Sequence, residues 1–120
     1  MKKKYYNKLI RDNIPEKMDA AGAAYEVRSL DEDEFRRELL KKVGEEASAL
    51  PGMSEKGEIL PEIADLYATL AEIQRVWGMT DEEITQALEE SNAKKGGFEK
   101  RLFLTWSEDN GYETNERRNQ

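Results

Sequence analysis

Two acidic clusters, Glu45-Glu46 and Glu62-Ile63-Ala64-Asp65, are the residues of this chain best suited to chemistry. Their placement singles them out, because the chain is acidic throughout. Glu46 falls on a stripe where a helix should be apolar. A carboxylate there costs stability unless a cation or a hydrogen-bond network compensates it. Grouped carboxylate oxygens are the donor set of hard divalent cations. The chain has no histidine and no cysteine. That removes a Ser-His or Cys-His nucleophile, a His- or Cys-ligated zinc and any disulfide framework. A metal bound here must be held by oxygen, which points to Mg²⁺ or Mn²⁺ and away from zinc or copper.

The formal net charge is −7 over 120 residues. An excess of acids argues against a nucleic acid polymer as partner, since phosphate backbones are bound through surplus Lys and Arg. It leaves room for a small polyphosphate, because a divalent cation on carboxylates can receive phosphates that the bare protein repels. Apolar and charged residues each make up 38%, a balance that suits thin helical layers or a core completed by oligomerisation. No apolar run approaches the ~20 residues of a membrane span, so no membrane partner is expected. Lys2-Lys3-Lys4 is followed by Tyr5-Tyr6-Asn7 rather than by an apolar stretch, so it does not read as a secretory signal. A cytoplasmic location is the resulting expectation.

The elements that must position the acids are legible from their punctuation. Asp12 or Asn13, with Pro15 in the first turn, opens a short helix that Gly22 ends. Tyr25–Leu30 alternates as a half-buried strand does. Asp31-x-x-Glu34 opens a long helix running to about Leu50, where Pro51-Gly52 stops it. A second long helix covers roughly Glu58 to Trp77, with Pro61 in its first turn or kinking it and Gly78 closing it. Thr80-x-x-Glu83 opens a third, which Gly96-Gly97 ends. Phe98–Trp106 reads as a second strand, able to pair with the first. The expected fold is mainly α: an antiparallel helical bundle with a small two-stranded β element, completed by oligomerisation. Residues 1–106 form the domain. Residues 107–120 are a polar tail, read as frayed or as a flexible arm.

At ~100° per residue, Phe35, Leu39, Val43, Ala47 and Leu50 share one side of the first long helix, and Glu46 projects into that sector. Glu45 falls on the opposite flank with Glu38 and Lys41. On the second long helix Ile63, Leu66, Tyr67, Leu70, Ile73 and Trp77 form the apolar face. Glu62 borders it, with Asp65 one turn on. Ala64, Ala68 and Ala71 make a separate small-residue stripe, so this helix reads as packed on two sides. If the two helices are antiparallel, Glu46, Glu62 and Asp65 converge near the connecting loop. Each acid also has a plainer role. Glu62 and Asp65 suit the positive end of a helix dipole, and Glu46 can reach water from a rim. Phe35, Tyr67 and Trp77 could stack on a base, although core packing is the commoner use of such residues.

These residues resemble the all-α nucleoside-triphosphate pyrophosphohydrolase superfamily, MazG-like and phosphoribosyl-ATP pyrophosphohydrolase-like. Its signature is E-E-x-x-E followed after a spacer by E-x-x-D. Glu45-Glu46-Ala47-Ser48-Ala49 and Glu62-Ile63-Ala64-Asp65 stand in those places. Two flanking stretches resemble a subgroup of short MazG-like proteins, Lys8-Leu9-Ile10-Arg11-Asp12-Asn13-Ile14-Pro15-Glu16 and Gly96-Gly97-Phe98-Glu99-Lys100-Arg101. The resemblance spans about Tyr5 to Leu104. It implies Mg²⁺-dependent cleavage of a nucleotide between its α- and β-phosphates, giving a monophosphate and pyrophosphate. It further implies a homodimer or homotetramer. Glu46, Glu62 and Asp65 would be metal ligands, and Glu45 a further ligand or a base just behind them, so that Glu45 and Glu46 are the catalytic candidates. Lys8, Arg11, Lys95 and Arg101 are candidates for binding the substrate phosphates. The basic residues near Gly96 equally suit the negative end of a helix. The departure from the signature is Ala49, where the family carries a third glutamate. Alanine cannot coordinate, and Ser48 is a feeble substitute. A weakly active or inactive relative that binds a nucleotide, or serves as a protein-interaction module, is the alternative this departure raises.

Overall fold

The structure, a computed structural model, describes residues 2–109 and 111. The expectation for the polar tail falls mostly on 110 and 112–120, outside the described residues. The described chain is mainly helical, with α1 at Ile14–Ala20, α2 at Glu32–Ala47, α3 at Lys56–Val76 and α4 at Asp81–Lys95. It divides into two compact units, Met1–Ile84 and Thr85–Gln120.

Local chemistry sets the helix ends. Pro15 lies in the first turn of α1. Beyond that helix, Gly22 takes a φ of +71°, and the amides of Gly22 and Ala23 donate to the carbonyls of Asp19 and Met18. This 5→2 and 6→1 pairing needs a left-handed residue, which glycine adopts without a Cβ penalty. Gly78 ends α3 in the same way, at φ +66°. Asp31 caps α2, accepting from the Glu34 amide at 2.8 Å. Only half of the expected capping box forms, because the Glu34 carboxylate accepts from both Arg28 guanidinium nitrogens instead, at 2.6 and 3.0 Å. At α4 the box is complete. The Thr80 amide donates to Glu83 at 2.9 Å, and the Glu83 amide donates to Thr80 Oγ1 at 3.0 Å. Helix α3 starts at Lys56, earlier than its sequence suggests. Pro61 therefore lies inside the helix rather than in its first turn, at the cost of one backbone hydrogen bond.

In the first unit α2 packs on α3. The pair is antiparallel. Arg36, early in α2, donates to the Val76 carbonyl and lies 4.9 Å from the Trp77 ring centroid at the far end of α3. The end of α2 meets the beginning of α3 through a 3-10 turn at Leu50–Gly52. Among the described residues Leu39 is the buried apolar side chain of α2, 3% exposed. Phe35, Val43, Ala47 and Leu50 are half-buried around it, on the expected face.

Two expectations are corrected. No strand occurs among the described residues, so the two-stranded β element is absent from them. Tyr25–Leu30 runs without helix or ladder, and Tyr25 and Val27 are exposed. In Phe98–Trp106 the Arg101 amide turns back to the Phe98 carbonyl, with Arg101 at φ +56°. Alternating side chains do not make a strand without a ladder partner, and a left-handed residue breaks the extended path. The buried stripe of α3 also differs. Ile63, Leu66 and Ile73 are half-buried as expected, together with Ile59 and Val76, and Thr69 is buried, whereas Tyr67 and Leu70 are exposed, with Ala64 and Ala71. A single neighbouring helix covers only one sector of a cylinder.

Candidate metal centre

Glu46 comes from the last turn of α2, while Glu62 and Asp65 come from the first half of α3. The antiparallel pairing sets these ends side by side, and the three residues each offer a carboxylate oxygen within 4.8 Å of the other two. Glu46 and Glu62 are half-buried, and Asp65 is exposed. The donor set is entirely carboxylate oxygen, which fits a hard divalent cation of the Mg²⁺ or Mn²⁺ type. The crowding has an electrostatic signature. Partial burial, reinforced by contact with Glu46 and by the charges of Glu46 and Asp65, pushes the Glu62 carboxyl above its ordinary range, while Lys42 pulls the other way. Like charges held this close favour the neutral form of one of them, and an added cation relieves that repulsion.

Lys42 is the residue that sequence reasoning missed. It is 9% exposed, a charged side chain on the packed side of α2. Its ammonium lies 3.3 Å from Glu46 Oε1 and 3.7 Å from Glu45 Oε2. The signal was available, since Lys42 precedes the glutamates by three and four residues and so shares their helix face. At ~100° per residue it sits beside Phe35 and about 40° from Glu46 on the wheel.

The flank expected for Glu45, opposite the apolar side, is shared with Glu38 and Lys41, of which Lys41 is exposed while Glu38 is half-buried. Glu45 itself is half-buried, and its Oε2 has no hydrogen-bond partner among the described residues. Ser48 serves the helix end, its hydroxyl donating to the Glu45 carbonyl at 2.7 Å. Ala49 is exposed and lies just beyond α2, yet Ser48 and Ala49 both keep right-handed helical dihedrals.

The basic candidates are placed differently from one another. Arg11 reaches the carboxylates, with Nη1 3.6 Å from Asp65 Oδ1. The Lys8 ammonium lies 5.3 Å from the centroid of the Tyr6 ring. Lys95 and Arg101 belong to the second unit, where both line a cavity of about 410 Å³ with Gly96, Gly97 and Lys100. Of the aromatic residues, Trp77 is engaged by Arg36, Phe35 is half-buried, and Tyr67 is 70% exposed rather than packed in the core.

No family model, curated protein or solved structure matches the chain. Among the described residues no helix is long and apolar enough to cross a membrane.

Proposed function

We propose that this chain is a Mg²⁺-dependent nucleoside-triphosphate pyrophosphohydrolase that cleaves between the α- and β-phosphates, releasing a monophosphate and pyrophosphate. The observation that carries the reading is the convergence of Glu46, Glu62 and Asp65 from two antiparallel helices onto one point. The motifs shared with the MazG-like superfamily supply the reaction class. When bound, a divalent ion would offset phosphate charge and lower the pKa of an attacking water. The chain's own residues do the rest. Glu46, Glu62 and Asp65 hold the cation, and Glu45, half-buried beside Glu46, is the candidate base. Arg11, already at Asp65, is the cation best placed to turn toward a phosphate. Lys8, Lys95 and Arg101 remain phosphate-binding candidates on the resemblance alone. The substrate is a small nucleotide, handled in the cytoplasm by a homodimer or homotetramer in which further copies complete the helical bundle.

Ala49 favours a second reading, a degenerate relative that binds a nucleotide or a protein without turning it over. Pyrophosphate release over a panel of nucleotides with Mg²⁺ or Mn²⁺ separates the two. Turnover that Glu46→Gln abolishes, with Mn²⁺ affinity lowered roughly 100-fold, is the expected result. Absence of turnover with every nucleotide at high enzyme and metal would sink the enzyme reading. Saturable nucleotide binding in that case would favour the binding module.

A further inference from the structure

The acidic centre has a cation of its own. Lys42 is a charged side chain on the packed face of α2, its ammonium set against Glu46 and Glu45 at 3.3 and 3.7 Å. A buried lysine persists only where anions compensate its lost hydration. The converse also holds. Without the ammonium, Glu46 and the buried Oε2 of Glu45 would lose their ion-pair partner while Glu46 still faces Glu62 and Asp65, and the cation at Asp65, Arg11, is exposed. Lys42 thus holds together a group of carboxylates that would otherwise repel.

From this placement, and resting on the metal-centre reading above, we propose that Lys42 is a resident counter-ion that competes with a divalent cation for Glu46. A dication coordinated by Glu46 would lie within a Debye length of the ammonium, about 8 Å at physiological ionic strength. Because the lysine is buried, that repulsion is poorly screened. The ion therefore enters by weakening the Lys42–Glu46 pair, and Lys42 sets the metal concentration at which the centre fills. Coupling of this kind is reciprocal: whatever the lysine takes from metal affinity, the metal takes from the ion pair.

The test uses the full chain and Lys42→Met, which keeps the length of the buried stem and removes the charge. In EDTA the variant should unfold at a lower temperature than the parent chain. Its Mn²⁺ affinity, measured by calorimetry or by the spectrum of free Mn²⁺, should be roughly tenfold tighter, and saturating Mn²⁺ should narrow the gap in unfolding temperature. Equal or weaker Mn²⁺ affinity in folded Lys42→Met overturns the proposal while leaving the metal centre standing, provided the parent chain binds. No saturable Mn²⁺ binding by either protein removes the metal centre and this inference with it. A measurement on the unaltered chain keeps the question open to disproof should the variant fail to fold. Acylation of the Lys42 amine, followed by mass spectrometry, should be faster with saturating Mg²⁺ than in EDTA, because the amine loses its carboxylate partner. An unchanged or slower rate overturns the proposal.

Discussion

Charge balance at the end of α2 decides how the carboxylates behave. Glu45, Glu46 and Glu62 are half-buried, and among the described residues the cation buried with them is Lys42. The position that would add a further acid is Ala49. Helix α2 ends at Ala47, but the next two residues continue its dihedral path, so a side chain at 49 still projects near the azimuth of Glu46. Ala49→Glu should then tighten Mn²⁺ binding by roughly tenfold, since affinity at oxygen sites follows the number of ligand charges. Calorimetric titration beside the parent chain checks this. An unchanged constant would mean that the 3-10 turn carries position 49 away from the centre.

Helix ends and their ion pairs set the pH behaviour of the elements. The Arg28 guanidinium, bidentate on Glu34, holds that carboxyl below its ordinary range. A depressed folded value means that the unfolded chain takes up the proton more readily. The stabilisation from this pair is therefore fully present above the ordinary carboxylate range and is lost as pH falls toward the depressed value. Glu34→Gln should make the acid limb of the stability curve shallower, measured by urea unfolding at a series of pH values. An unaltered limb would show that the exposed pair contributes nothing measurable, as many surface pairs do. The variant keeps the Asp31 cap, because that bond is made to the backbone amide of residue 34.

For the molecule as a whole, the question is what covers the second face of α3. Leu60, Tyr67 and Leu70 are exposed there, interleaved with exposed Ala64 and Ala71. Small residues between large ones permit close approach of another helix, and two helices alone bury little. The reading of a homo-oligomer predicts an assembly larger than one chain by light scattering, with an unfolding temperature that rises with protein concentration. Tyr67→Glu, remote in sequence from the acids of α2, should return the chain to a monomer. A parent chain that is monomeric at all concentrations would exclude this use of the stripe.

Much of this was legible in the sequence, for reasons that are local. Gly22 and Gly78 closed their helices because a left-handed residue is needed there. Thr80 and Glu83 capped each other because both partners lie within one turn. Glu46 was conspicuous because periodicity alone put a charge on an apolar face. Other features depended on neighbours distant along the chain. The alternation of Tyr25–Leu30 carried no information about a ladder partner, and Glu34 left its expected cap because Arg28 was within reach. The sequence by itself determined which carboxylates share a helix face and where each helix stops, since both follow from spacing over a few residues. Tertiary structure alone decided that α2 and α3 run antiparallel, so that Glu46 meets Glu62 and Asp65. It alone decided that Lys42 lies buried among acids, because burial is a property of what packs against a face.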